Sequence, residues 1–197
     1  MIFEVFQILI EQVNRHFTQL GLTDAEVVMD NIAFVDGNGE QSEAMRDKVV
    51  LSLLNFQEEP SMKNFPNHRV TDVMTEYRNP VVNLHLFLLF SANRNHYSNA
   101  LRDLGAIMRF FQGKRFFTQA NTVFDREVSS MSQIRDFRFT VDLFSPSFEE
   151  LNYIWGTLGG RQLPSVLYKL CLIPVQSGQV QGEGELIQVI SKELKEQ

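Results

Sequence analysis

The 197-residue sequence has one cysteine, one tryptophan, four histidines and no apolar run of membrane-spanning length. Each shortage removes a class of function. A single Cys171 cannot close an intramolecular disulfide, and within VLYKLCLIPV it reads as a buried thiol in a strand. His16, His68, His85 and His96 are scattered, with no HxxH or HExxH spacing to hold a metal. GxxxxGK[ST], a strand-to-helix GxGxxG and GxSxG are all missing, so neither a phosphate cradle nor a nucleophile elbow is readable. The start, MIFEVFQILIEQV, has no basic lead and is broken by Glu4 and Glu11, which argues against a secretory signal. The cytoplasm is the expected compartment.

What is present is an ordinary soluble composition, 44% hydrophobic and 21% charged, with seventeen phenylalanines. The length suits one domain with a proper core. A net charge of −6 argues against general nucleic-acid binding, which needs a basic surface. In RFFQGKRFF the phenylalanines follow a helical stripe and then a strand, so they read as core and not as a base-stacking platform. The charge is unevenly spread. Residues 1–60 carry 11 acidic and 3 basic side chains, whereas residues 78–121 carry 6 basic ones and only Asp103 as an acid. This asymmetry reads either as scatter over a solvated surface or as two complementary faces meeting between copies of the chain.

Ile2, Val5, Phe6, Leu9, Val13, Phe17 and Leu20 fall at helical spacing, with Gly21 as the C-cap. EVVMDNIAFVD reads as a short strand, DGNGEQSE as a loop, and KVVLSLLNFQ as a buried strand. Residues 59–80 are polar and bounded by prolines, and read as a long loop. VVNLHLFLLFSA carries the strongest strand alternation. A helix capped by Asn95 or Ser98 follows, with Tyr97, Leu101, Leu104, Met108 and Phe111 as its buried stripe and Gly113 closing it. After a short strand near FFTQAN, RDFRFTVDLF alternates as a half-exposed strand. Ser147 and Glu150 fit a capping box, with Ser145 before Pro146 as an alternative start, ahead of a helix burying Phe148, Leu151, Ile154, Trp155 and Leu158. In WGTLGGRQLPSVLYKL, Gly159 and Gly160 reverse the chain before a last strand, so these glycines make a joint and not an anion loop. The order predicts an α+β fold, a mainly antiparallel sheet with helices packed on one face. The domain is expected over 1–176, and 177–197, rich in glycine, is expected to be a flexible tail in which ELIQVIS adds as a strand to another sheet or Leu186, Ile190 and Leu194 line a short helix.

MIFEVFQILIEQVN, NPVVNLHLFLLFSANRNHYSNAL, FFQGKRFFTQAN and FSPSFEELNYIWGTLGGRQLPSVLYKL together resemble the cap, or tail-terminator, proteins of phage-tail-like contractile injection systems. The resemblance covers residues 1 to about 175. It implies a non-enzymatic structural protein with a phage tail-terminator-like fold and no cofactor. Such a protein forms a homohexameric ring at the end of the particle distal to the baseplate, stopping the inner tube and touching the last sheath ring. The implied partners are further copies of the chain, the sheath protein and the inner-tube protein, with no nucleic acid and no membrane insertion. Assembly is implied to occur in the bacterial cytoplasm, for a particle either released or membrane-anchored. No catalytic, metal-binding or cofactor-binding residue carries over. The candidate subunit-interface residues are the basic ones: Arg94, Arg102, Arg109, Lys114, Arg115 and, at the glycine joint, Arg161. Two rival readings are a tail-completion or neck ring protein of a phage, and a small cytoplasmic ligand-binding domain or enzyme.

Overall fold

The computed structural model describes residues 2–59, 68–70, 74–79, 81–125, 131, 137–175 and 180–185. Along the chain these form α1 (Ile2–Gln19), β1 (Val27–Met29), a 3-10 turn (Ile32–Phe34), α2 (Glu40–Ala44), β2 (Lys48–Glu58), β3 (His68–Val70) and β4 (Met74–Arg78). Then come β5 (Val82–Asn93), α3 (Tyr97–Gly113), β6 (Phe116–Thr118), β7 (Arg138–Phe144), α4 (Phe148–Thr157), β8 (Ser165–Val175) and β9 (Val180–Glu185). Two compact units result, residues 1–57 with 84–173 and residues 58–83 with 174–197.

The first unit is built on a six-stranded mixed sheet in the order β1-β2-β5-β8-β7-β6. β1 lies parallel to β2, with Val27 opposite Val49, whereas β6–β7 and β7–β8 are antiparallel, with Val141 opposite Leu170. The two-residue period of the strands sends alternate side chains to opposite faces. Val49, Leu51, Leu86, Leu88, Phe90, Tyr168 and Leu170 enter one core, under α1 and α3. Val50, Leu89 and Leu167 enter a second, with Ile32, Met45, Leu163 and Trp155. Burial on both faces explains why VNLHLFLLFSA is nearly continuous in apolar residues. The expectation of helices on one face holds for α1 and α3; the shorter α4 covers the other face through Trp155.

Local signals place the helix ends. α1 ends at Gly21, whose φ of 72° lets Leu22 N–H reach the Phe17 carbonyl at 2.9 Å. α4 starts in a complete capping box, Ser147 N–H to Glu150 Oε2 at 2.8 Å and Glu150 N–H to Ser147 Oγ at 3.2 Å. It ends where Gly159 (φ 108°) and Gly160 (φ 83°) turn the chain, and Gly160 N–H returns to the Trp155 carbonyl. The glycine pair is therefore a joint, as its sequence context predicts.

Several expectations need correction. α3 begins after His96 with no side-chain cap, and Gly113 stays helical instead of turning left-handed. The buried face of α3 is Ala100, Asp103, Leu104, Ala106, Ile107 and Phe111. Of the predicted stripe, Tyr97 (68% exposed), Leu101 (51%) and Met108 (44%) look outward. Phe148, expected in the core, is 92% exposed at the first turn of α4. Within the predicted loop DGNGEQSE lies the short α2.

The second unit has a three-stranded antiparallel sheet, β3-β4-β9. Its strands fall inside the segment predicted as a long loop (59–80) and inside the tail predicted to be flexible from 177. The division at 176/177 therefore differs from that of the structure: Glu76 pairs with Glu183 and Tyr77 with Gly182, and backbone pairing overrides the weak strand propensity of VQGEGE. Beyond Glu185, the last residue of β9, ELIQVIS lies outside the described residues.

Candidate interaction surface

Six basic residues stood as candidates for contact with another subunit, and the structure divides them. Arg94 follows β5 and has its side chain 1% exposed. Its Nη2 sits 2.6 Å from Asp24 Oδ2, and its Nη1 donates to the Asp24 carbonyl at 2.8 Å and to the Asp47 carbonyl. Nε faces the buried Asp103 Oδ2 at 3.1 Å, an ion contact without good hydrogen-bond alignment. Arg102 on α3 joins the same group, contacting Asp24 Oδ2 at 2.8 Å and Asp103 Oδ1 at 2.9 Å. Arg94 is thus enclosed within its own chain, its guanidinium already taken up by Asp24, Asp47 and Asp103. Asp47 completes the cluster from a left-handed φ of 56°, accepting from Asn95 N–H at 2.9 Å.

The electrostatics follow from position. Burial pushes the Asp103 carboxyl above its ordinary range, against the pull of Arg102 and Arg94. The hydrogen bond from Arg102 holds Asp24 below the usual carboxylate range and raises Arg102 in turn. This cluster ties the α1–β1 connection, the turn before β2 and the start of α3 together.

Lys114 is also engaged internally. Its Nζ donates to Gln12 Oε1 and the Asn121 carbonyl, both at 3.0 Å, and stands over the Phe117 ring, while burial lowers its affinity for the proton. Arg161 is exposed and paired with Asp36. Part of the charge asymmetry is therefore met within the chain, because the acidic first third supplies Asp24 to Arg94 and Arg102, and Asp36 to Arg161. The signal that sequence reading passed over is Asp103, the lone acid of the basic stretch, three residues after Ala100 and four before Ile107 on the buried face of α3.

Arg109 and Arg115 remain. Both are exposed, and neither enters an ion pair among the described residues. They flank a cavity of about 420 Å³ whose apolar walls include Met108, Phe111, Val141, Leu143 and Tyr168. Its floor is the aromatic core: Phe111 and Tyr168 rings lie 4.6 Å apart, and burial pushes the Tyr168 hydroxyl up to about 12. Alongside it, Tyr97, Leu101 and Met108 line a second groove, of about 560 Å³, with Leu151 and Pro164. An apolar hollow with cationic edges recognises an apolar anchor beside an acid. Among the described residues no group of three His, Cys, Asp or Glu side chains has metal-holding geometry, and no helix is long and apolar enough to cross a membrane.

No curated protein matches the chain. Among solved structures, the fold is similar to the sheath/tube terminator of an extracellular contractile injection system, PVC, in the extended state. The TM-score is 0.62 at 14% identity, covering 100% of this chain and 64% of that chain. It is also similar to the tube-terminating cap of the anti-feeding prophage, with a TM-score of 0.52 and 12% identity over 75% of this chain and 49% of that one. The chain thus spans less than two thirds of either structure. The family model of the Pvc16 N-terminal domain matches residues 4–188, nearly the whole sequence, and the chain belongs to the Pvc16 N-terminal domain family.

Proposed function

We propose that this protein is a structural cap of a contractile injection system, forming a homohexameric ring that closes the distal end of the inner tube and meets the last ring of the sheath. The observation that carries this reading is the family match over residues 4–188, joined to a fold shared with two terminators of such particles. The role needs no catalytic centre or cofactor, and it gives the exposed apolar face of α3 a use in a protein–protein contact. Assembly takes place in the bacterial cytoplasm, next to the tube and sheath proteins.

Deleting the gene tests the proposal. Overlong tubes or sheaths that fail to assemble, seen by electron microscopy and restored by the gene in trans, are the expected result. Particles of normal, defined length without the protein would refute it.

A further inference from the structure

We infer that Phe148 and Glu149 at the start of α4 of one copy dock into the cavity bounded by Arg109 and Arg115 on another copy. The inference deepens the ring reading, on which it rests for self-association, by assigning the contact.

Phe148 is the anchor. At 92% exposure it presents almost its whole ring to solvent, an unfavourable position for an aromatic side chain that buries on the order of 150 Å² or more when packed. The capping box fixes the first turn of α4, so the ring is held on a rigid element and little ordering is lost on docking. The cavity, at about 420 Å³, has room for a phenyl ring and offers Met108, Phe111, Val141 and Leu143 as its walls.

Charge agrees with shape. Glu149, next to the anchor, makes one contact, the Tyr153 hydroxyl at 3.3 Å, and enters no ion pair among the described residues. Arg109 and Arg115 likewise enter none. Several exposed acids of the first third are already matched within the chain, as Glu26 with Lys48, Glu43 with Arg46 and Asp36 with Arg161. The position also permits repetition. The cavity opens on the α3 side of the six-stranded sheet, with Val141 and Tyr168 in that core, whereas α4 packs on the other side through Trp155 and reaches the neighbouring groove only with Leu151. A copy that inserts its anchor into one neighbour can therefore receive another's, the head-to-tail arrangement that closes into rings.

The test uses the full-length protein. Single variants Leu143→Cys and Phe148→Cys, each also carrying Cys171→Ser, are mixed and oxidised. A disulfide formed only in the mixture, and not in either variant alone, is the expected result. In parallel, sedimentation across a concentration series compares the wild type with Phe148→Ala and with Arg109→Glu/Arg115→Glu. Both variants should assemble at least tenfold more weakly while keeping the wild-type circular dichroism. Adding Glu149→Arg to the double arginine variant should recover most of the loss, which a merely folding-related defect would not show. Rings that persist unchanged in all variants, with no mixed disulfide, would overturn this contact and leave the ring reading standing. A wild-type protein that stays monomeric throughout would overturn both.

Discussion

Replacing Arg94 by methionine keeps most of the side-chain length and removes the charge at the centre of the polar cluster. Three consequences follow from the geometry. The carbonyls of Asp24 and Asp47 lose their buried donor, Asp24 keeps Arg102, and the fully buried Asp103 keeps Arg102 alone. Removing one partner from a buried ion pair costs about 3–5 kcal/mol. Here the lower end applies, about 3–4 kcal/mol, because burial already favours the protonated Asp103 and proton uptake caps the cost. For a chain of this length the melting temperature should fall by about 6–16 °C. Asp103→Asn should cost less, about 1–2 kcal/mol, since Arg94 retains Asp24 at 2.6 Å. In the Arg94→Met background the same change removes a stranded carboxylate and should cost almost nothing. Urea unfolding followed by Trp155 fluorescence measures all four proteins, because this sole tryptophan is buried in the second core. A coupling of about 1–2 kcal/mol is expected from the double-mutant cycle. Single effects that simply add would show that the cluster is decoration and that the reasoning is wrong.

Acid response gives a second test. Asp24, with its folded pKa depressed, contributes stability that is full above its unfolded value of 3.8 and is lost as pH falls through the folded value. Asp103, with its folded pKa raised, acts oppositely, costing stability as pH rises from 3.8 through its folded value. Asp103→Asn removes the second effect, so its stability should climb more steeply than the wild type's as pH rises from 3.8 through the folded pKa of Asp103; equal slopes in urea titrations would contradict the assignment. Ser147→Ala breaks the capping box and should cost about 1 kcal/mol in the same assay, with no change in the far-ultraviolet spectrum beyond α4. At Gly160 no atom stands within 4 Å of an added Cβ, so only the backbone at φ 83° resists substitution. Gly160→Val should therefore cost about 1–2 kcal/mol and Gly160→Asn clearly less, and equal losses would point to a steric cause instead.

The legible parts of this fold were those written in local, periodic signals. The α1 stripe, the alternation of β5, the capping box at Ser147 and the glycine joint after Trp155 each depend on residues a few positions apart. α3 misled because its outward face holds Tyr97, Leu101 and Met108 while its inward face holds Ala100 and Asp103; hydropathy alone selects the wrong side. Phe148 misled for the same reason. The candidate site was half legible. Arg109 and Arg115 stay on the surface, but Arg94 finds Asp24 seventy positions away, a pairing no window of sequence reveals. Likewise β9 becomes a strand only because β4, about a hundred residues earlier, offers it an edge.

The strand order also bears on when the molecule can fold. β8 lies between β5 and β7 and so joins the two parts of the larger sheet, and β9 adds to β4 at the edge of the smaller one, so each sheet depends on strands that come late in the described residues. A chain still being synthesised holds β1-β2-β5 and β6-β7 as separate pieces with bare edges, and β3-β4 as an isolated pair. Loop-closure entropy must be met across these long separations before the pairing rewards it, which slows the step and exposes edge strands meanwhile. Both sheets therefore wait for residues 165–185, and a chain cut short before Ser165 leaves the edges of β5, β7 and β4 open and is a candidate for aggregation, not a partial cap.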